Sequence, residues 1–87
     1  MPHIELYATA SCPYCVAARQ FLAGKGLAYE EIRVDLEPVQ RVRMRERAEG
    51  RRTVPQIFID GAHVGGFDDM MAAERDGRLA ALLGEQA

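Results

Sequence analysis

Cys12 and Cys15 are the only two cysteines in this chain of 87 residues, set three apart in Cys12-Pro13-Tyr14-Cys15. On a helix, residues three apart share a face, with Cβ atoms about 5 to 6 Å from one another. That spacing is close to disulfide geometry, so the pair can open and close with little backbone movement. Pro13 suits the first helical position, where its missing N–H would be an orphan donor in any case. Cys12 is then the N-cap and Cys15 lies inside the first turn. The two sulfurs are not equivalent. Cys12 faces the free N–H groups and the positive end of the helix dipole, which lower a thiol's pKa, and it is the candidate nucleophile.

Two other readings of the pair stand beside a redox role. A tetrahedral zinc site needs more ligands, and only His3 and His63 remain as neutral donors, without patterned spacing. A static disulfide across two intervening residues closes so small a loop that it would restrain the unfolded chain little. Redox or thiol-transfer chemistry therefore leads.

The elements that must hold the cysteines are legible around them. His3 to Ala8 alternates Ile4 and Leu6 with His3, Glu5 and Tyr7 and predicts a strand. Thr9-Ala10-Ser11 is the loop that delivers the cysteines. From Pro13 to Lys25 the pattern is helical, with Cys15, Ala18 and Leu22 on one stripe, Arg19 and Gln20 elsewhere, and Gly26 as the left-handed cap. Tyr29 to Val34 reads as a second strand, parallel to the first through a right-handed crossover. Pro38 opens another helix that runs to Gly50, with Val39, Val42 and either Met44 or Ala48 expected on its buried side and its arginines on the wet side. Gln56 to Ile59 reads as a central strand buried on both faces. Asp60-Gly61 predicts a two-residue hairpin into Ala62 to Gly65. A helix from Phe67 to about Arg75 follows, then a break at Asp76-Gly77 and a short helix from Arg78 to Leu83. The result is α/β, in the order β-α-β-α-β-β-α, with a four-stranded mixed sheet flanked by helices.

Two further stretches can serve the cysteines. In Thr53-Val54-Pro55 a cis X-Pro bond is cheap; if Pro55 is cis, Val54 can offer an extended peptide strand-like hydrogen bonds beside Cys12. Pro55 simply beginning a strand is the competing explanation. In Gly65-Gly66-Phe67-Asp68-Asp69 the glycines admit a close backbone, the helix N-terminus suits a carboxylate, and Asp68 or Asp69 can hold an ammonium. Plain helix capping by the aspartates is the competing explanation.

Composition bounds the rest. A chain of 87 residues makes one domain with a single modest core, spanning residues 1–87. Two cysteines, no disulfide framework and an N-terminus that passes straight into a strand point to the reducing cytosol. No apolar run approaches the roughly 20 residues that span a bilayer, so no membrane role is expected. A formal net charge of −2 argues against nucleic-acid binding. Arg41, Arg43, Arg45, Arg47, Arg51 and Arg52 crowd one stretch, but Glu46 and Glu49 are interleaved, which favours a solvated helix face over a polyanion site.

Cys12-Pro13-Tyr14-Cys15, Thr53-Val54-Pro55-Gln56-Ile57-Phe58-Ile59 and Gly65-Gly66-Phe67-Asp68-Asp69, in this order, resemble the glutaredoxin family over essentially the whole chain. The likeness is greatest to small bacterial dithiol glutaredoxins of the glutaredoxin 3 type. The resemblance implies a thioredoxin fold, a cis Pro55, and glutathione as reductant and co-substrate with no metal. It implies that Val54 pairs with the glutathionyl cysteine, that Tyr14 flanks the site, and that Asp68, Asp69 and nearby N–H groups bind the γ-glutamyl end. Thr53, Gly66 and Phe67 complete the expected glutathione-binding set. The implied partners are glutathionylated or disulfide-containing proteins and, indirectly, glutathione reductase, acting on a monomer. The chain departs from the family at Thr9, where many members carry a lysine that contacts the glycyl carboxylate; Arg51, Arg52 or Arg47 is expected to replace it. The resemblance also leaves two alternatives, an iron–sulfur carrier bridging a glutathione-ligated dimer, which Pro13 disfavours, and a reductase fed by a flavoprotein.

Overall fold

The computed structural model describes residues 2–84. Its elements run β1 (Ile4–Ala8), α1 (Pro13–Gly24), β2 (Glu30–Arg33), α2 (Pro38–Arg47), β3 (Gln56–Ile59), β4 (Ala62–Gly65), α3 (Phe67–Asp76) and α4 (Arg78–Leu82). The four strands form one sheet in the order β2-β1-β3-β4. β1 pairs parallel with β2 and antiparallel with β3, and β3 pairs antiparallel with β4, so the sheet is mixed. Asp60 and Gly61 both have positive φ, 50° and 83°, the geometry that two-residue hairpins demand. Asp60 Oδ1 also accepts a hydrogen bond from His3 N at 2.8 Å, tying the hairpin to the start of β1.

The period-two alternation of β1 sends its side chains into two separate cores. Ile4, Leu6 and Ala8 join Ile57 and Ile59 of β3 against Cys15, Ala18 and Leu22 of α1, Met70 and Ala73 of α3, and Leu79 beyond. On the opposite face Tyr7 and Phe58 meet Val34, Met44 and Ala48. The expectation that β3 is central and buried on both faces holds, since all four of its residues are buried. Among the described residues, no helix is long and apolar enough to cross a membrane.

The face of α2 differs from the sequence expectation. Val39 and Val42 are 61 % and 55 % exposed, and the helix is seated on the sheet by Met44 and Ala48. The reason lies in Arg47, one turn from Met44. Its guanidinium carbon sits 4.1 Å from the Phe58 ring centroid while its nitrogens reach Glu5 at 2.9 and 3.0 Å and Tyr7 Oη at 2.9 Å. An arginine stacked on an aromatic face and paired with a carboxylate fills a half-buried position that hydropathy alone assigns to valine.

Candidate active site

The sharp turn from β1 into α1 places both cysteines. Cys12 is the N-cap of α1, with extended φ and ψ of −77° and 121°, and Pro13 opens the first turn. Cys12 is partly buried and Cys15 wholly so, and both are free thiols. Burial works against ionisation of Cys12, but the Cys15 N–H, the Cys15 thiol, the Tyr14 N–H and the charge of Arg19 outweigh it and hold the Cys12 thiol below its ordinary pKa. Cys15 is the reverse. Its burial pushes the thiol up to about 11; the Thr9 N–H opposes this and the neighbouring Cys12 sulfur reinforces it. The two sulfurs thus differ in how readily they ionise, Cys12 more easily than an ordinary thiol and Cys15 less.

Facing Cys12 is the segment before β3. Cys12 Sγ lies 3.7 Å from Val54 O, and the Val54–Pro55 peptide is cis. The buried side chain of Gln56 fixes this segment, with Nε2 donating to Thr53 O at 3.0 Å and to Thr53 Oγ1 at 3.2 Å. Its Oε1 lies 2.7 Å from His63 Nε2. The neighbouring Tyr14, Arg51, Thr53, Val54, Pro55, Gly66, Phe67, Asp68 and Asp69 line a groove of about 280 Å³. Tyr14, 58 % exposed, and Phe67 stand across its mouth with ring centroids 6.5 Å apart.

The two aspartates differ in what they touch. Asp69 caps α3, its Oδ2 accepting from Gly66 N at 2.9 Å, and it pairs with Arg51 at 3.0 Å. The Gly66 N–H, against some burial and with help from Arg51, holds its carboxyl below the usual range. Asp68, on the same turn, is exposed on the groove. The three arginines offered for the carboxylate contact also separate. Arg51 lines the groove, Arg52 is exposed outside its lining, and Arg47 is committed to Glu5, Tyr7 and Phe58. Of the three alternatives, Arg51 is the one placed in the lining of the groove.

A model of the family described as Glutaredoxin matches residues 4–64. The chain is 49 % identical over 83 residues to a glutaredoxin of Pseudomonas aeruginosa, covering 95 % of this chain and 98 % of that protein. It belongs to the glutaredoxin family. Glutaredoxin 3 of Escherichia coli is 43 % identical over 83 residues, covering 95 % and 99 % of the two chains. The crystal structure of a buckwheat glutaredoxin–glutathione complex superposes with a TM-score of 0.84 at 31 % identity, over 93 % of this chain and 76 % of that one. Membership makes this glutaredoxin a thiol–disulfide oxidoreductase with the thioredoxin fold, and its two cysteines lie close together at the start of α1.

Two residues near the site of this glutaredoxin went unmarked in the sequence. Gln56 is a polar residue opening an apolar strand, a pattern that signals a buried side chain with partners to satisfy. Arg19, which the helical pattern put off the Cys15 stripe, lies one turn from Cys15 and reaches Thr9 O at 2.9 Å. Among the described residues, His3, Glu5 and Glu30 have donor atoms within 4.8 Å of one another, but Glu5 is already paired through both oxygens with Arg47.

Proposed function

We propose that the chain is a glutathione-dependent thioltransferase, a single domain acting as a monomer in the cytosol, which reduces glutathionylated proteins and protein or small-molecule disulfides. What carries the reading is the lowered Cys12 thiol 3.7 Å from Val54 O, at the edge of a groove with Arg51 and Asp68 among its lining residues. Glutathione is a tripeptide with a carboxylate at each end and an ammonium at one. The Val54 backbone pairs with its cysteine, as the resemblance implies and as strand-like peptide recognition allows. The orphan N–H groups at the start of α3 take the γ-glutamyl carboxylate and Asp68 its ammonium, while Arg51 takes the glycyl carboxylate in place of the family lysine.

In the cycle the Cys12 thiolate attacks the glutathione sulfur of a mixed disulfide, forming Cys12–S–SG and releasing the substrate as a thiolate, which takes a proton from water. A second glutathione thiolate attacks that sulfur, giving oxidised glutathione and returning the Cys12 thiolate. Glutathione reductase then recycles the oxidised glutathione. On a protein disulfide, Cys12 forms a mixed disulfide with the target and Cys15 displaces the target thiolate, leaving a Cys12–Cys15 bridge that two glutathiones reduce.

A coupled assay with glutathione and glutathione reductase tests this. Cys12→Ser should abolish turnover of both substrate types. Cys15→Ser should keep deglutathionylation and lose most reduction of protein disulfides. Equal loss of both activities in the two variants refutes the division.

A further inference from the structure

The β1–α1 loop is gripped from beneath by charges that the cycle above does not use. Arg19 Nη2 donates to Thr9 O at 2.9 Å. The same guanidinium is held by Glu31 of β2 through three hydrogen bonds, at 3.0, 3.1 and 2.6 Å. Both side chains are mostly covered, at 22 % and 27 % exposure, so the pair is shielded from screening more than a surface ion pair would be. One residue further along the loop, Ala10 N donates to Asp35 Oδ2, and Asp35 is itself paired with Arg33. The Thr9 N–H favours the ionised form of Cys15, which burial and the Cys12 sulfur oppose. Arg19 therefore bears on Cys15 from the next turn of α1, and through Thr9 O it also fixes the loop that leads into the cysteines.

We propose that Arg19, clamped by Glu31 and by Thr9 O one helical turn from Cys15, is a positioning residue for the resolving step: it fixes the loop that leads into the cysteines and keeps a positive charge beside Cys15 once Cys12 is engaged in a mixed disulfide. This assignment rests on the dithiol route proposed above. The timing follows from what surrounds Cys15. While Cys12 is a thiolate, its charge and its hydrogen bond oppose ionisation of Cys15. When Cys12 is tied up in a mixed disulfide both of those opposing influences vanish, whereas the Thr9 N–H and Arg19 remain. Cys15–SH then yields its proton to water, its thiolate attacks the Cys12 sulfur, and the substrate leaves as a thiolate. The titratable or charged groups surrounding this network are Cys12, Glu31, Arg33, Tyr29 and Asp35.

Stopped-flow reaction of the reduced protein with an aromatic disulfide that liberates coloured thionitrobenzoate separates the two attacks. The first release reports Cys12 and depends on reagent concentration. The second reports intramolecular attack by Cys15 and does not. Arg19→Met should slow the second release about ten-fold at neutral pH and move its midpoint to higher pH, the equivalent of one decade in thiolate population. The first release should change less, because Cys12 keeps the N–H groups of Cys15 and Tyr14. Arg19→Lys should restore most of the second rate, and Glu31→Gln, which frees Arg19 but leaves its charge, should fall between. A second release in Arg19→Met with the parent's rate and midpoint overturns the proposal, as does an equal slowing of both releases or an Arg19→Lys protein as slow as Arg19→Met. Absence of any concentration-independent release in the unmutated protein would instead remove the dithiol route itself, so the two failures are distinguishable.

Discussion

Gly65→Ala should damage the groove far more than Gly66→Ala, although the two glycines are adjacent at the foot of α3. A Cβ on Gly65 would stand 2.5 Å from Asp69 Oδ2 and 2.8 Å from both Asp69 Cβ and Cγ, on a backbone with φ of +114°. Real Cβ atoms do not tolerate such contacts, and that φ disfavours any side chain. The backbone conformation costs about 1 to 3 kcal/mol. Moving Asp69 aside also breaks its 2.9 Å bond to Gly66 N, a capping contact of about 1 kcal/mol. The sum, about 2 to 4 kcal/mol, corresponds to a melting temperature lower by roughly 10 to 25 °C in a chain of this size. On Gly66 the added Cβ would lie 3.4 Å from Pro55 O and 3.6 Å from Arg51 Nη2, near ordinary contact distance, and the backbone φ is −83°. That substitution should cost less than about 1 kcal/mol. Urea and thermal unfolding of both variants check the contrast, and the Michaelis constant for glutathione should rise in Gly65→Ala because displaced Asp69 no longer fixes Arg51. Equal stabilities of the two variants, or a Gly65→Ala protein within about 0.5 kcal/mol of the parent, would refute the steric reasoning.

The arginines should separate by function. Arg51→Ala should raise the Michaelis constant for glutathione about five-fold, the worth of roughly 1 kcal/mol for a half-exposed charged contact, while Arg52→Ala leaves it unchanged. Arg47→Ala should leave it unchanged too but lower stability by about 1 to 2 kcal/mol, read by urea unfolding, because Glu5, Tyr7 and Phe58 lose their shared partner. Alkaline stability should depend on Cys15. Its thiol is raised from 9.0 to about 11 in the folded chain, so the unfolded chain releases that proton first. Stability from this source is complete below about pH 9 and lost as pH rises through about 11. The difference between the parent and Cys15→Ser, followed by denaturant unfolding across that range under reducing conditions, should show the loss in the parent alone.

What the sequence discloses and what it withholds divide along the range of the interaction. The N-capping cysteine, the Asp60-Gly61 hairpin and the alternating β1 are governed by neighbours in the chain, so composition and spacing expose them. The buried side of α2 is not local. Val39 and Val42 carry the hydropathy of a core face, yet the sheet beneath offers the rings of Tyr7 and Phe58 and the carboxylate of Glu5, and only folding brings those to Arg47. Asp68 and Asp69 are equivalent as residue types, and they become distinct only when the backbone of Gly66 selects one as its acceptor. Arg19 was hidden in another way. Its helix position was legible, but its role depends on Glu31 arriving from β2 and on a main-chain oxygen, and neither has a sequence signature.

The substitution at Thr9 gains its meaning from that network. A lysine side chain here would supply charge from the loop, above the cysteines. With Thr9 the loop contributes main chain, an oxygen that accepts from Arg19 and an N–H that serves Cys15. Positive charge is instead divided between two arginines, Arg19 on α1 paired with Glu31 and Arg51 on the groove. The division has a chemical consequence. A single lysine would couple glutathione capture to thiolate stabilisation, whereas here loss of Arg51 should weaken glutathione binding with little effect on sulfur ionisation. Loss of Arg19 should do the reverse.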